Sequence, residues 1–251
     1  MYQILIVEDD RTNQSLYMKM KVWEEEGFVV AGQALNGREA LSIMQTKQFD
    51  LYLVDVMMPV MNGLEFLKEL KERGITAPRI IASNYNEFDY VRQGMKLGAM
   101  DYLLKPVTEE ELRECLQNVR EELDDEREQN ITEEIFHVCG ADTSSGFAKK
   151  VMAYFSEHVD LNLKDISDEF MLNHDYFGKL FKRQMNENFN TFAMRYKMEY
   201  AKYLLAHTDE RIYEISDRLG YKTTDYFTKL FKEYTGDTPA QYRKSQADIR
   251  N

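Results

Sequence analysis

The chain has 251 residues, 43% of them hydrophobic, a length beyond one ordinary domain and enough apolar side chain to give each of two domains its own core. The net charge of -12 belongs to the first part, since residues 1–142 hold 15 Lys and Arg against 28 Asp and Glu and the remainder holds 17 against 16, so any case for nucleic acid rests on local clustering. There is no basic-then-apolar N-terminal signal and no apolar run near the ~20 residues of a membrane span, which leads to the expectation of a cytoplasmic chain with no membrane partner.

Taken in chain order, Ile4-Leu5-Ile6-Val7 reads as a buried parallel strand that ends abruptly in Glu8, Asp9 and Asp10. Three adjacent carboxylates at the end of a buried strand call for a cationic partner. A helix is expected over residues 13–26 with Leu16, Met20 and Trp23 at helical spacing, then a strand at 28–31 and a helix opened by Asn36-Gly37 with Ala40, Leu41 and Met44 on one face. The run Leu51-Tyr52-Leu53-Val54 repeats the opening pattern and again ends in a carboxylate, Asp55. Helices at 64–73 and 87–96, strands at 79–82 and 102–104, and a helix from Glu109 complete the series. This alternation predicts an α/β domain, a five-stranded parallel sheet covered by helices on both faces. Ligands of such sheets bind beyond the carboxyl ends of the strands, where Glu8, Asp9, Asp10, Asp55, Ser83 and Lys105 all fall.

From Thr108 to about Asn130 the chain is acidic and helical, with Leu112, Leu116, Val119 and Leu123 spaced for closing the domain or for packing on a second subunit. Residues 140–146 read as a linker, and strand signals stop beyond them. The stretch Asp-Tyr-Phe-x-Lys-Leu-Phe-Lys occurs twice, from Asp175 and from Asp225, each after a similar lead-in. That is an internal duplication of a helix-turn-helix-sized unit, with residues 192–205 as a helix able to link the copies. Cys115 and Cys139 lack metal-ligand spacing and read as free thiols.

Two acids at the first strand end and one at the third are hard oxygen ligands of the kind Mg²⁺ prefers, and such an ion would be the missing cation. Asp55 can then attack phosphorus to form an acyl phosphate, with the metal and Lys105 neutralising the transferred oxygens and Ser83 adding a hydroxyl donor. Singly, a strand-end Asp is most often a helix cap and a Lys solvated. Their convergence at one sheet edge carries the functional reading.

Residues 4–10, Asp55-Val56-Met57-Met58-Pro59, Ile80-Ile81-Ala82-Ser83 and Asp101-Tyr102-Leu103-Leu104-Lys105-Pro106 together resemble the receiver domain of two-component response regulators, a flavodoxin-like fold, over about residues 1–125. The resemblance implies that a sensor histidine kinase phosphorylates Asp55, and that Glu8, Asp9, Asp55 and the Met57 backbone carbonyl hold Mg²⁺. By the same resemblance Ser83 and Lys105 contact the phosphoryl group, Ser83 and Tyr102 form the switch, and the Lys105-Pro106 bond is commonly cis. Glu8 stands where the family often has Asp, and Asn84 where a smaller residue is common. Both departures bear on the rate or lifetime of phosphorylation.

Residues 147–245 resemble the AraC-type DNA-binding domain, most specifically at Ile212-Tyr213-Glu214-Ile215, Gly220-Tyr221 and Tyr234-Thr235-Gly236-Asp237-Thr238-Pro239, with residues 126–146 left as helical extension and linker. The reading helices would open at Asn173, His174 and Asp175 and at Lys222, Thr223, Thr224 and Asp225, residue types that include partners for adenine, guanine and the thymine methyl. Lys179, Lys182, Lys229 and Lys232 would meet phosphates. Core is the ordinary reading for Tyr176, Phe177, Leu180, Phe181 and for Tyr226, Phe227, Leu230, Phe231, and helical periodicity supports it for the Phe and Leu. The first unit is looser, with Met171 in its turn and Asn188 where a Gly-rich turn is expected.

The expectation is therefore a transcription regulator of the YesN-like arrangement, not an enzyme, controlled by phosphorylation through dimerisation or interdomain packing. Its partners would be the kinase, double-stranded promoter DNA, RNA polymerase, and a second copy of itself when phosphorylated. A receiver-controlled protein-binding adaptor or phosphate sink is the alternative, favoured by the near-neutral second half. A phosphatase-type enzyme lacks a second acid or base beside Asp55.

Overall fold

The computed structural model describes residues 1–84, 88–158 and 160–250, and the chain divides into two compact units, Met1–Asp124 and Asp125–Asn251. The first contains strands β1 (Tyr2–Val7), β2 (Phe28–Ala34), β3 (Leu51–Asp55), β4 (Arg79–Ser83) and β5 (Asp101–Leu104), all parallel, in the order β2-β1-β3-β4-β5. Alternate residues of each strand feed opposite faces, as the two-residue period of a strand requires. Ile4, Ile6, Leu51, Leu53 and Ile80 enter one core, Leu5, Val7, Tyr52, Val54 and Ile81 the other. Because both faces are covered, β3 and β4 are buried along their whole length, the reason Leu51-Tyr52-Leu53-Val54 and Ile80-Ile81-Ala82 read as apolar runs.

Helices α1 (Arg11–Lys19), α2 (Val22–Glu25), α3 (Gly37–Ile43), α4 (Gly63–Glu72) and α5 (Phe88–Lys96) connect the strands. The single helix expected over residues 13–26 is thus two, because Met20 adopts an extended backbone between them. The break changes which face is inside: Tyr17 is buried and Leu16, expected on the apolar face, is exposed. Strand β2 runs three residues beyond the expected Ala31, and Glu87, expected to open α5, lies outside the described residues.

The acidic helix is longer than its heptads indicate. Helix α6 spans Glu109–Val138, and Leu112, Leu116, Val119 and Leu123 all pack into the first unit's core. This settles that stripe as the closing face of the domain. Past the division at Asp124, Ile131, Ile135 and Phe136 of the same helix belong to the core of the second unit. Residues 140–146, read as a linker, are a tight helix-to-helix turn: Gly140 is left-handed (φ 71°), the Gly140 and Ala141 amides donate to the His137 and Phe136 carbonyls, and Ser145 caps the next helix.

The rest of the second unit is all helical: α7 (Gly146–Glu157), α8 (Leu163–Glu169), α9 (His174–Met185), α10 (Phe189–His207), α11 (Ile212–Arg218), α12 (Thr224–Thr235) and α13 (Pro239–Arg250). Its core is dense in edge-to-face aromatic pairs, among them Phe136–Phe155, Phe155–Tyr196 and Phe181–Phe189. Helix α10 carries ten buried residues and lies between the two helix-turn-helix pairs α8–α9 and α11–α12 in the chain.

Candidate functional site

In the first unit the strand order reverses between β1 and β3, and a crevice at such a reversal is where doubly wound sheets bind ligands. Glu8 and Asp9 follow β1 and Asp55 ends β3, so carboxylate oxygens of the three come within 4.8 Å of one another. The third acid of the opening run has another role. Asp10 caps α1, its side chain accepting from the Thr12 amide at 2.7 Å, a bond that holds its carboxyl below the usual carboxylate range.

Lys105 reaches in from the end of β5 and donates to Glu8 Oε2 and to Asp55 Oδ2, at 2.6 Å each, with all three side chains buried. The ammonium is the cation that the buried acids need. Burial pushes the Glu8 carboxyl up despite the nearby ammonium. Burial also opposes the charge of Lys105, but its hydrogen bonds to Asp55 and Glu8 outweigh that and raise its pKa. The Lys105-Pro106 bond is cis.

Neighbouring groups hold the pocket in shape. Asp55 Oδ1 accepts from the Met57 amide at 3.1 Å, and α4 begins so close to β3 that a Cβ on Gly63 would sit 2.1 Å from the Asp55 carbonyl oxygen. Asn62 and Glu65 form a capping box that starts α4 at that point. Ser83 is fully buried at the end of β4, Tyr102 is half-buried on β5, and Asn84 is exposed. Asn13 and Gln14 were not singled out from sequence. Asn13 donates to Glu8 Oε1 at 3.2 Å, and Gln14 donates to the Glu8 and Ala34 carbonyls, tying the ends of β1 and β2 together. Polar residues in the first turn after an acidic strand end were the available signal.

In the second unit the duplicated stretches form α9 and α12, capped at the same position of each copy but through different amides. Asn173 and Thr223 are the N-caps, accepting from the Asp175 amide at 2.9 Å and the Tyr226 amide at 3.3 Å. Capping occupies the Asn173 oxygen that a bidentate adenine contact would use. His174 lies 3.4 Å from Asp175, and Lys179, Lys182, Lys222, Asp225, Lys229 and Lys232 are exposed, with Thr224 half-buried and Lys229 3.9 Å from Glu233. Phe177, Phe181, Phe227 and Phe231 are fully buried, while Tyr176 and Tyr226 are on the surface. Gly236, which ends α12 in the left-handed conformation, has Asn186 as its counterpart, whereas Asn188 caps α10.

A sheet with this acidic pocket, followed by a duplicated helix-turn-helix, defines a receiver-controlled transcription regulator rather than an enzyme. The comparisons agree: the response regulator receiver domain model matches residues 4–117 and a helix-turn-helix domain model matches residues 166–245. The chain belongs to the response regulators that join a receiver to an AraC-type DNA-binding domain. It is 24% identical to the uncharacterized transcriptional regulatory protein YesN of Bacillus subtilis, over 98% of each chain, and 24% identical to the transcriptional regulatory protein HptR of Staphylococcus aureus, over 97% of this chain and 99% of that one. Among solved structures it matches the receiver domain of AraT from Geobacillus stearothermophilus, at 32% identity and a TM-score of 0.47, over 50% of this chain and 98% of that one. The receiver implies a histidine kinase partner, and the helix-turn-helix implies DNA. Among the described residues no helix is long and apolar enough to cross a membrane.

Proposed function

We propose that a sensor histidine kinase phosphorylates Asp55, and that the acyl phosphate changes dimerisation or interdomain packing and thereby raises sequence-specific affinity for promoter DNA. The observation that carries this reading is the clamp of Lys105 on both Glu8 and Asp55 beside the exposed carboxylate of Asp9. The donor set, three carboxylates to which we add the Met57 backbone carbonyl as a further ligand, fits Mg²⁺, a hard cation that keeps several waters and binds through one or two carboxylates plus phosphate oxygens. When bound, Mg²⁺ supplies charge neutralisation for the transferred phosphoryl oxygens.

A carboxylate such as that of Asp55 serves as a nucleophile toward phosphorus without a general base. A carboxylate oxygen bonds to phosphorus as the bond from phosphorus to the donor histidine nitrogen breaks, and the electron pair leaves with that nitrogen. Lys105 exchanges a carboxylate oxygen of Asp55 for a phosphoryl oxygen, and the Ser83 hydroxyl donates to another. Phosphorylation adds about -1.5 to -2 charge and three acceptor oxygens, so Ser83 moves toward the group and Tyr102 follows into the space.

In the second unit we assign Lys222, Thr223 and Thr224 with Asn173, His174, Asp175 and Asp225 to the groove-facing openings of the reading helices, and Lys179, Lys182, Lys229 and Lys232 to phosphates. Fluorescence anisotropy tests the whole reading, using DNA from upstream of the chain's own coding region, with and without Mg²⁺ and beryllofluoride, alongside Asp55→Ala. Tighter binding on activation that Asp55→Ala abolishes is expected. Indifference to activation breaks the switch, and no specific, salt-sensitive binding moves the assignment to an adaptor or phosphate sink.

A further inference from the structure

We propose that Tyr176 and Tyr226 are matched contacts to the DNA backbone, each phenol hydroxyl donating to a phosphate oxygen at the edge of the groove that its helix enters. The inference rests on the DNA-binding reading above. Each tyrosine is the third residue of its helix, and the two stand 50 positions apart in the duplicated stretch. Both are 57% exposed, while the next residue in each copy, Phe177 or Phe227, is wholly buried. The ring is therefore no part of the core that the repeat exists to build.

Comparison of the two copies separates retained surface from tolerated surface. His174 and Arg183 of α9 are replaced at the matching positions of α12 by Thr224 and Glu233, a loss of the imidazole in one case and a reversal of charge in the other. The surface residues the helices share are Asp175 and Asp225, Tyr176 and Tyr226, Lys179 and Lys229, and Lys182 and Lys232. Of these, Asp175 and Asp225 repel phosphate. Tyrosine and the lysine three residues on share a face, offering a neutral donor beside a cation.

A phenol suits this position. Phosphate contacts come from Tyr hydroxyls, lysines and helix N-termini together, and the positive end of the helix dipole favours the anion in the first turn. Neither hydroxyl has a hydrogen-bond partner within the protein among the described residues. The Tyr226 ring stands 6.2 Å from that of Tyr221, which braces it; Leu172 takes the place of Tyr221 in the first copy.

The test measures binding of the full chain to two labelled duplexes, its own upstream region and a scrambled sequence of equal composition, across a salt series. Tyr176→Phe and Tyr226→Phe are expected to weaken binding to both duplexes by the same factor, roughly three- to tenfold each. The slope of affinity against salt is expected to stay as in the wild type, because no counterion-releasing charge is removed, whereas Lys179→Ala reduces it by about one. Unchanged thermal melting separates this from a folding defect. Wild-type affinity in both Phe variants overturns the proposal, as does a loss confined to the upstream duplex, which would make the residues base readers. If the wild-type chain binds neither duplex, the DNA-binding reading itself falls and takes this one with it.

Discussion

Met171 and Gly220 occupy the same place in the two helix-turn-helix units, each left-handed, at φ 52° and 73°, in the residue after the first helix's cap. Glycine takes that conformation freely, whereas a side chain costs roughly 1–2 kcal/mol there. Met171 is almost wholly exposed, so no burial offsets the strain. Met171→Gly is expected to stabilise the second unit by about 0.5–1 kcal/mol after allowance for the looser unfolded chain. The reverse change is worse than strain alone, since a Cβ on Gly220 meets the Asp160 carboxylate at 2.9 Å. Urea denaturation of Met171→Gly and Gly220→Ala checks both signs, and a Met171→Gly variant less stable than wild type refutes the account.

The pocket of Glu8, Asp9 and Asp55 predicts stabilisation by Mg²⁺. At ten times the dissociation constant, linkage gives about 1.4 kcal/mol to the folded state. Calorimetric melting with and without Mg²⁺ should show the rise for wild type and its loss in Asp9→Asn. An equal rise in that variant would place the ion elsewhere.

Both thiols are buried, and burial pushes each pKa up, so neither supplies thiolate at neutral pH. Ellman's reagent is expected to find no reactive thiol in the native chain and both in denaturant. Rapid reaction of either in the folded protein would contradict its place in the core.

Lys197 of α10 is buried, with its ammonium 3.6 Å from Asp160 and 5.5 Å from the centre of the Tyr221 ring. Burial depresses its pKa below the ordinary lysine value of 10.5. Between the folded and unfolded pKa values the unfolded chain holds the extra proton, so this lysine's contribution to stability rises with pH through that window. Below it the charge costs free energy. Lys197→Met is therefore expected to be more stable than wild type at pH 7, by about 1 kcal/mol, with a smaller gain at pH 11. Denaturation at the two pH values decides it; a destabilised variant at pH 7 would show that the Asp160 pair and ring contact outweigh burial.

Much of the molecule is legible in local pattern. A strand buried on both faces must be apolar throughout, so β1 and β3 announced themselves, and their abrupt acidic ends marked the edge where a site forms. Asn36 and Asn62 start helices because a short oxygen-bearing side chain satisfies free amides locally. The duplicated stretch located helices α9 and α12 for the same reason: helical period and capping are properties of neighbouring residues.

What the tertiary structure decided depends on groups far apart in sequence. Lys105 clamps Glu8 and Asp55 from 97 and 50 residues away, a juxtaposition set by strand order. The same holds for Tyr176 lying outside while Phe177 lies inside, and for Ile131 and Phe136 of α6 joining the second core. Periodicity marks a face as apolar but does not say which element will cover it. That choice belongs to whichever packing removes the most apolar surface from water without stranding a charge, and only the assembled chain makes it.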